Sequence, residues 1–240
     1  FNVAPFFTSV VAPSVGDEGA ILACSAGVSD VAAGDILDLA VTWSWGDGTA
    51  DTEGTSATHT YIDDGAWTVT VTVVDLDGGV ASQTVSLVTL NVDPTITTTP
   101  GPTAQQGVSY SYLPTVTDPG DEVFDWVLIG AVSSNLVFDA ATGAISWVPD
   151  SADAAIGSFA LTLQVNDGDG GSFSQSWTVV VTSADSDGDG MSDDWESDNG
   201  LNPNDPNDGA LDPDADGMTN LDEFGLGTDP FDSNGPDAPT

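Results

Sequence analysis

The segment AWTVTVTVVD (66–75) alternates apolar side chains with Thr at a period of two, and ASQTVSLVTLNV (81–92), SFALTLQVND (158–167) and FSQSWTVVVT (173–182) do much the same. Successive strand side chains point to opposite faces, so each run has one face to bury and one to leave in water. A helical period fits none of them. Turn-forming clusters separate the runs: DLDGG (75–79), DPGD (118–121) and NDGDGG (166–171). Short strands at this spacing predict β-sandwiches from residue 5 to about 182. A weak echo sets the module length, because FNVAP at 1–5 returns as LNVDP at 90–94. The expected divisions are 5–92, 93–183 and 184–240, with 1–4 as the strand tail of a preceding module or a donated strand. Trp67 and Trp177 fall on alternating strands and are expected to be largely buried.

Charge narrows the function classes. The chain has 39 Asp and Glu, no Lys or Arg and one His, a formal net charge of -39. Nucleic acid, an acidic membrane surface and bound phosphate all require cationic side chains, so no nucleic-acid partner is expected. A Lys Schiff base, an Arg clamp and a Lys–Asn crosslink are excluded with them. What such a surface attracts is cations, and it offers trypsin-like proteases no cleavage site. Cys24 is the only cysteine and forms no disulfide within the chain; AILACSA places Leu22, Cys24 and Ala26 on one strand face, which makes Cys24 a buried thiol. No apolar run reaches membrane-spanning length, so direct membrane insertion is not expected. The first residue is Phe, the mark of a processed product or a piece of a longer chain. The Thr/Pro cluster TITTTPGPT (95–103) reads as a stiff linker, with O-linked sugar as the alternative.

From about residue 184 the composition turns to Asp, Asn, Gly and Pro, which alone would predict disorder. The spacing argues otherwise. A twelve-residue calcium loop draws ligands from positions 1, 3, 5, 7, 9 and 12, with Gly at position 6. DSDGDGMSDDWE supplies Asp185, Asp187, Asp189, the Met191 carbonyl, Asp193 and Glu196, with Gly190 at the turn. DPDADGMTNLDE supplies Asp212, Asp214, Asp216, the Met218 carbonyl, Asn220 and Glu223, with Gly217 at the turn. Hard oxygen donors without soft ones select Ca2+, and two sites are expected, with room for more. Each loop runs into a short helix, where Trp195, Leu221 and Phe224 are expected to form a small shared core.

Three resemblances add to this reading. The tail, from DSDGDGMSDDWE through DPDADGMTNLDEFGLGTDP, resembles the bacterial thrombospondin type 3 repeat, with dockerin-like loops; this implies structural calcium, with Asp205 and Asp208 as second-tier ligands. WSWGDG (43–48), HTY (59–61) and Gly65 give residues 5–92 a resemblance to the PKD domain, an immunoglobulin-like sandwich in which the counterpart of His59 belongs to the fold. Asp118-Pro119, Phe138-Asp139, Thr142-Gly143, Trp147-Val148-Pro149 and Asn166-Asp167-Gly168 make residues 94–182 similar to the cadherin-like putative immunoglobulin domain of dystroglycan and bacterial surface proteins. Asp118, Asp121, Glu122 and Asp167 stand there between two readings, cadherin-type calcium ligands and turn formers, with turn forming favoured.

The fold expected is therefore mainly β: two immunoglobulin-like β-sandwiches in tandem, then a small calcium-loop domain with short helices. The function expected is that of a non-enzymatic, calcium-stabilised extracellular or cell-surface protein of a bacterium or archaeon. It would be a structural or adhesion protein, the repeating subunit of a surface fibre assembled by N-terminal strand pairing. A polysaccharide or a protein receptor is an open second partner. The alternative is the accessory substrate-binding region of a secreted hydrolase, which a flat row of exposed aromatics would favour.

Overall fold

The computed structural model describes residues 3–31, 38–120, 123–130 and 133–233. Seventeen strands make up most of the regular secondary structure, with three short helices and one 3-10 turn among the described residues. The chain divides into two compact units, one made of Phe1–Thr97, Val116–Asp125 and Val165–Phe173, the other of Thr98–Thr115, Trp126–Gln164 and Ser174–Thr240.

The first unit is built on two sheets. Strands β1 (Phe6–Val11), β3 (Leu22–Ser29) and β6 (Ser56–His59) form one, in the order β1-β3-β6. The other has the order β2-β8-β7-β4-β5, from β2 (Val15–Asp17), β4 (Ala40–Ser44), β5 (Thr52–Glu53), β7 (Gly65–Val74) and β8 (Val80–Leu90). The long alternating runs pair as an antiparallel hairpin, Gly65 opposite Thr89 through Val74 opposite Val80. β2 joins β8 in parallel. Both sheets contribute to one core: Leu22, Cys24 and Ala26 from β3 meet Val41 and Trp43 from β4, and Val69, Val71 and Val73 from β7. Cys24 is buried, as its strand pattern predicts.

A row of rings crosses this core. Trp43 stacks on Trp45 at 6.1 Å, Trp45 on His59 at 4.5 Å, and Tyr61 on Trp67 at 4.8 Å. Each polar edge finds an acceptor: Trp43 Nε1 donates to the Gly54 carbonyl, Trp45 Nε1 to Thr52 Oγ1, and Tyr61 Oη to the Trp45 carbonyl. The turn after Trp45 must come close to β7. A Cβ on Gly46 would stand 2.7 Å from the Thr68 carbonyl oxygen, and the residue has φ +83, so glycine is needed on both counts.

In the second unit, β10 (Thr103–Gln105), β17 (Ser172–Thr182), β16 (Ser158–Asn166) and β13 (Asp125–Gly130) form a four-stranded sheet. β11 (Tyr110–Tyr112), β15 (Ile145–Trp147) and β14 (Val137–Phe138) form a three-stranded one. Tyr110, Tyr112, Ile145, Trp147, Phe159, Leu161, Leu163, Val179 and Val181 fill its interior. The helix α1 (Ser151–Ile156) opens with a capping box between Asp150 and Asp153. Asp153 is 4% exposed and also accepts from Trp147 Nε1 and Ser133 Oγ.

Trp67 and Trp177 are partly buried, neither of them at the centre of its core. Trp67 lies near the start of β7, where the strand's buried positions have not yet begun, and its Nε1 donates to Thr89 Oγ1 at 2.8 Å. Trp177 packs edge-on against Tyr112 at 5.6 Å on a strand whose deepest residues are Val179 and Val181. The bulk that fills the cores comes from Trp43, Trp45 and Trp147.

Candidate metal centre

The acidic tail is ordered by turns of its own side chains. Asp185 accepts from the backbone N–H groups of Gly188 and Gly190, Asp187 from Asp189, and Asp189 from Met191. The second loop repeats the scheme: Asp212 accepts from Gly217, Asp214 from Asp216, and Asp216 from Met218. Each loop feeds a helix, α2 (Asp193–Asp198), capped by Ser192, and α3 (Asn220–Leu226), capped by Thr219 with Asp222 completing the box. Positions 1, 3 and 5 thereby converge. One carboxylate oxygen from each of Asp185, Asp187 and Asp189 lies within 4.8 Å of the others, and the same holds for Asp212, Asp214 and Asp216.

The position-12 residues are the decisive ones. Glu196 and Glu223 are both 0% exposed. Neither oxygen of Glu196 has a hydrogen-bond partner. Burial pushes its carboxyl up to about 7, with repulsion from Asp187, Asp189 and Asp208 adding to it. Glu223 is raised in the same way, by burial and then by Asp214 and Asp216, against a smaller opposing pull from Thr228. An ionised carboxylate taken out of water needs a cation or a set of donors. The chain has no Lys or Arg, and its one His is held by Asp47, so no side chain is left to serve as that cation. The oxygen-only donor set fits Ca2+, a hard ion that takes six to eight such ligands. Asp185, Asp187, Asp189 and Glu196 would hold it in the first loop, and Asp212, Asp214, Asp216 and Glu223 in the second.

Other expected ligands stand differently. Asp193 uses both oxygens within the protein, accepting from the backbone N–H and hydroxyl of Ser186 at 2.7 Å each. Asn220 is buried and donates its amide to the Asp208 carbonyl at 2.8 Å, leaving Oδ1 without a partner. The side chains of Met191 and Met218 are 1% exposed and take the core role expected of Leu221, which is 41% exposed. The helix explains this: α3 buries Asn220 and Glu223, and Leu221 is turned away from that face. Trp195 and Phe224 do meet, edge to face at 5.3 Å. Asp208 gains most. It lies on the 3-10 turn Asp208–Ala210, is 7% exposed, and forms a carboxylate group with Asp189 and Glu196. Asp205 instead accepts from Asn207.

Outside the tail, Asp167 Oδ1 accepts from the backbone N–H groups of Asp169, Gly170 and Gly171, and Asp118 Oδ1 from Gly120. Each of these Oδ1 atoms closes a turn; Asp121 and Glu122 lie outside the described residues. His59, the single imidazole, is packed against Trp45 and Tyr61 and pairs with Asp47 Oδ2 at 2.6 Å. That is a place in the fold.

Comparison with known proteins bears on the sandwiches. Residues 2–90 match the family model of the PKD domain. Residues 93–182 match that of the putative Ig domain. The PKD and Ig-like segments follow one another along the chain, and this tandem is consistent with an adhesion or structural role. Both matches end before the acidic tail. Among solved structures, Drosophila N-cadherin EC1-3 is 14% identical, with 76% of this chain and 68% of that one covered and a TM-score of 0.35. The PKD1 domain of Vibrio anguillarum Epp is 20% identical over 37% of this chain and 96% of that domain, with a TM-score of 0.31. The protocadherin GammaB4 extracellular domain is 17% identical with a TM-score of 0.37; the match covers 76% of this chain and 34% of that one. No curated protein matches the chain by sequence. No helix among the described residues is long and apolar enough to cross a membrane.

Proposed function

We propose that this protein is a non-enzymatic, calcium-stabilised structural or adhesion protein that works outside the cell, with a thrombospondin type 3-like tail that folds around Ca2+. The observation that carries the reading is the pair of fully buried glutamates, each closing an aspartate loop in a chain without a cationic partner. Calcium that binds the folded tail and not the unfolded one stabilises it in proportion to the logarithm of its free concentration. Limited proteolysis with a Glu-specific protease tests this. Chelation should open the tail to cleavage while the sandwich cores stay folded, and equal protection with and without calcium contradicts the reading.

The finer reading is a fibre subunit joined by strand pairing. Support comes from β1, which among the described residues has a neighbour on one side only and leaves Phe6 at 46% and Val11 at 60% exposed. An apolar edge of that kind is a template for another strand. Removing residues 1–4 and imaging the product is the check: filaments that persist unchanged rule out assembly through the N-terminal strand. The accessory-region alternative gains nothing from the surface, since every described Trp and Tyr is at least partly buried.

A further inference from the structure

We propose a further divalent-cation site, of calcium-type oxygen chemistry, in the first unit, formed by Glu18, Asp63, Asp64 and Asp169 with Asn91 and Asp118 beside them. It is separate from the tail and does not depend on the tail reading. One carboxylate oxygen from each of Asp63, Asp64 and Asp169 lies within 4.8 Å of the others. Such a cluster on an exposed surface could simply be solvated. The buried groups around it argue for an ion.

Glu18 is 2% exposed. Its Oε1 accepts from the Val92 backbone N–H at 2.9 Å, while Oε2 is buried without any partner. Burial raises this carboxyl, and Asp118, Asp63 and Asp64 add repulsion; a Cβ on the adjoining Gly19 would meet Pro119 Cβ, so the backbone next to Glu18 lies against the Asp118–Pro119 turn. Two more inward oxygens lack donors, Asn91 Oδ1 and Asp118 Oδ2. Buried polar atoms are nearly always paired, so three orphaned acceptors beside one carboxylate cluster leave a cation as the common partner. Neither Lys nor Arg exists to fill that place, and His59 is engaged by Asp47.

The backbone around the cluster is fixed in advance. Asp167 accepts from three consecutive backbone N–H groups and, through Oδ2, from Asn91 Nδ2 at 3.0 Å. It therefore positions Asp169 and the Asn91 amide oxygen without spending its own oxygens on an ion. Adding a Cβ to Gly171 would bring it within 2.9 Å of Asn91 Nδ2 and closer still to Asp167, so a larger residue there would push these side chains out of place. On the other side, Thr89 Oγ1 donates to the Asp63 carbonyl and accepts from Trp67 Nε1, tying the Asp63–Asp64 loop to the sandwich.

The test is calcium titration of the full chain, by calorimetry and by the number of ions retained in native mass spectrometry. Glu196→Gln with Glu223→Gln removes the buried tail ligands. Calcium binding with an affinity of about 10⁻⁴–10⁻³ M should persist in that variant. Adding Glu18→Gln and Asp64→Asn should weaken it by at least tenfold. Asp169→Ala, on an exposed turn where loss of folding is not expected, should weaken it as well. If the tail variant binds no calcium, or binds it equally well after the Glu18, Asp64 and Asp169 changes, the site does not exist. Failure of the tail reading looks different: the tail variant would then retain as many ions as the unaltered protein.

Discussion

Asp153 shows how much one polar side chain can decide here. It accepts from Trp147 Nε1, Ser133 Oγ and the Asp150 backbone N–H through one oxygen, Oδ2. Asp153→Ala would leave a buried indole N–H and a buried hydroxyl without an acceptor, at a cost of about 2–3 kcal/mol. Asp153→Asn keeps an acceptor and should cost clearly less; equal midpoints for the two in urea unfolding would contradict this account. The WVP run marks Trp147 as part of the resemblance to the Ig-type domain, yet nothing in the spacing points to Asp153 as its partner. Asp47 gives a second case with a defined pH dependence. Burial pushes its carboxyl up, but hydrogen bonds from Thr49 and from His59 more than offset this and hold it below the ordinary value. A depressed carboxyl contributes stability above its unfolded value, and that contribution is lost as pH falls through the folded value. The stability of the native protein should therefore fall more steeply than that of Asp47→Asn below about pH 4, measured by chemical unfolding at each pH.

At the scale of elements, the alternation of β7, β8, β16 and β17 was readable because a strand's period maps directly onto its buried face. The tail loops were readable for a different reason, since ligand positions in a calcium loop are fixed by backbone geometry. Asp208 was harder to see. It reaches Asp189 and Glu196 only because the chain returns through a 3-10 turn, and no local spacing encodes that return. The loop–helix element also carries a pH prediction. In the metal-free tail, Glu196 has its carboxyl near 7, raised from 4.5. The folded form therefore holds a proton that the unfolded form has released, so this group favours the fold below pH 4.5 and loses that contribution as pH rises through about 7. In a chelator, the tail should unfold at lower urea near pH 7.5 than near pH 5.5. Calcium should reverse the order, because the ion and the proton compete for one carboxylate. The only two methionines, Met191 and Met218, both lie in the tail, so their methyl NMR signals report on it alone. A tail midpoint indifferent to pH in the chelator would contradict a buried, proton-holding Glu196.

For the molecule as a whole, the charge of -39 with no Lys or Arg to balance it makes the compact state work against its own repulsion. Two remedies differ in kind. Monovalent salt screens exposed charges over roughly 10 Å at 0.1 M and acts on every part of the surface. Bound calcium acts where carboxylates converge, and each site adds about 1.4 kcal/mol at tenfold excess over its dissociation constant. The two can be separated by matching ionic strength. Sodium chloride should raise the thermal midpoints of the tail and of the sandwiches by small, similar amounts. Calcium chloride at equal ionic strength should move the tail midpoint, read from the Met191 and Met218 methyl signals, well beyond the sodium value. Magnesium, which holds its water shell and demands six close ligands in octahedral array, should fall between them. If sodium alone reproduces the calcium shift, relief of general repulsion is the whole effect. The buried glutamates would then have to be protonated rather than ion-bound at neutral pH.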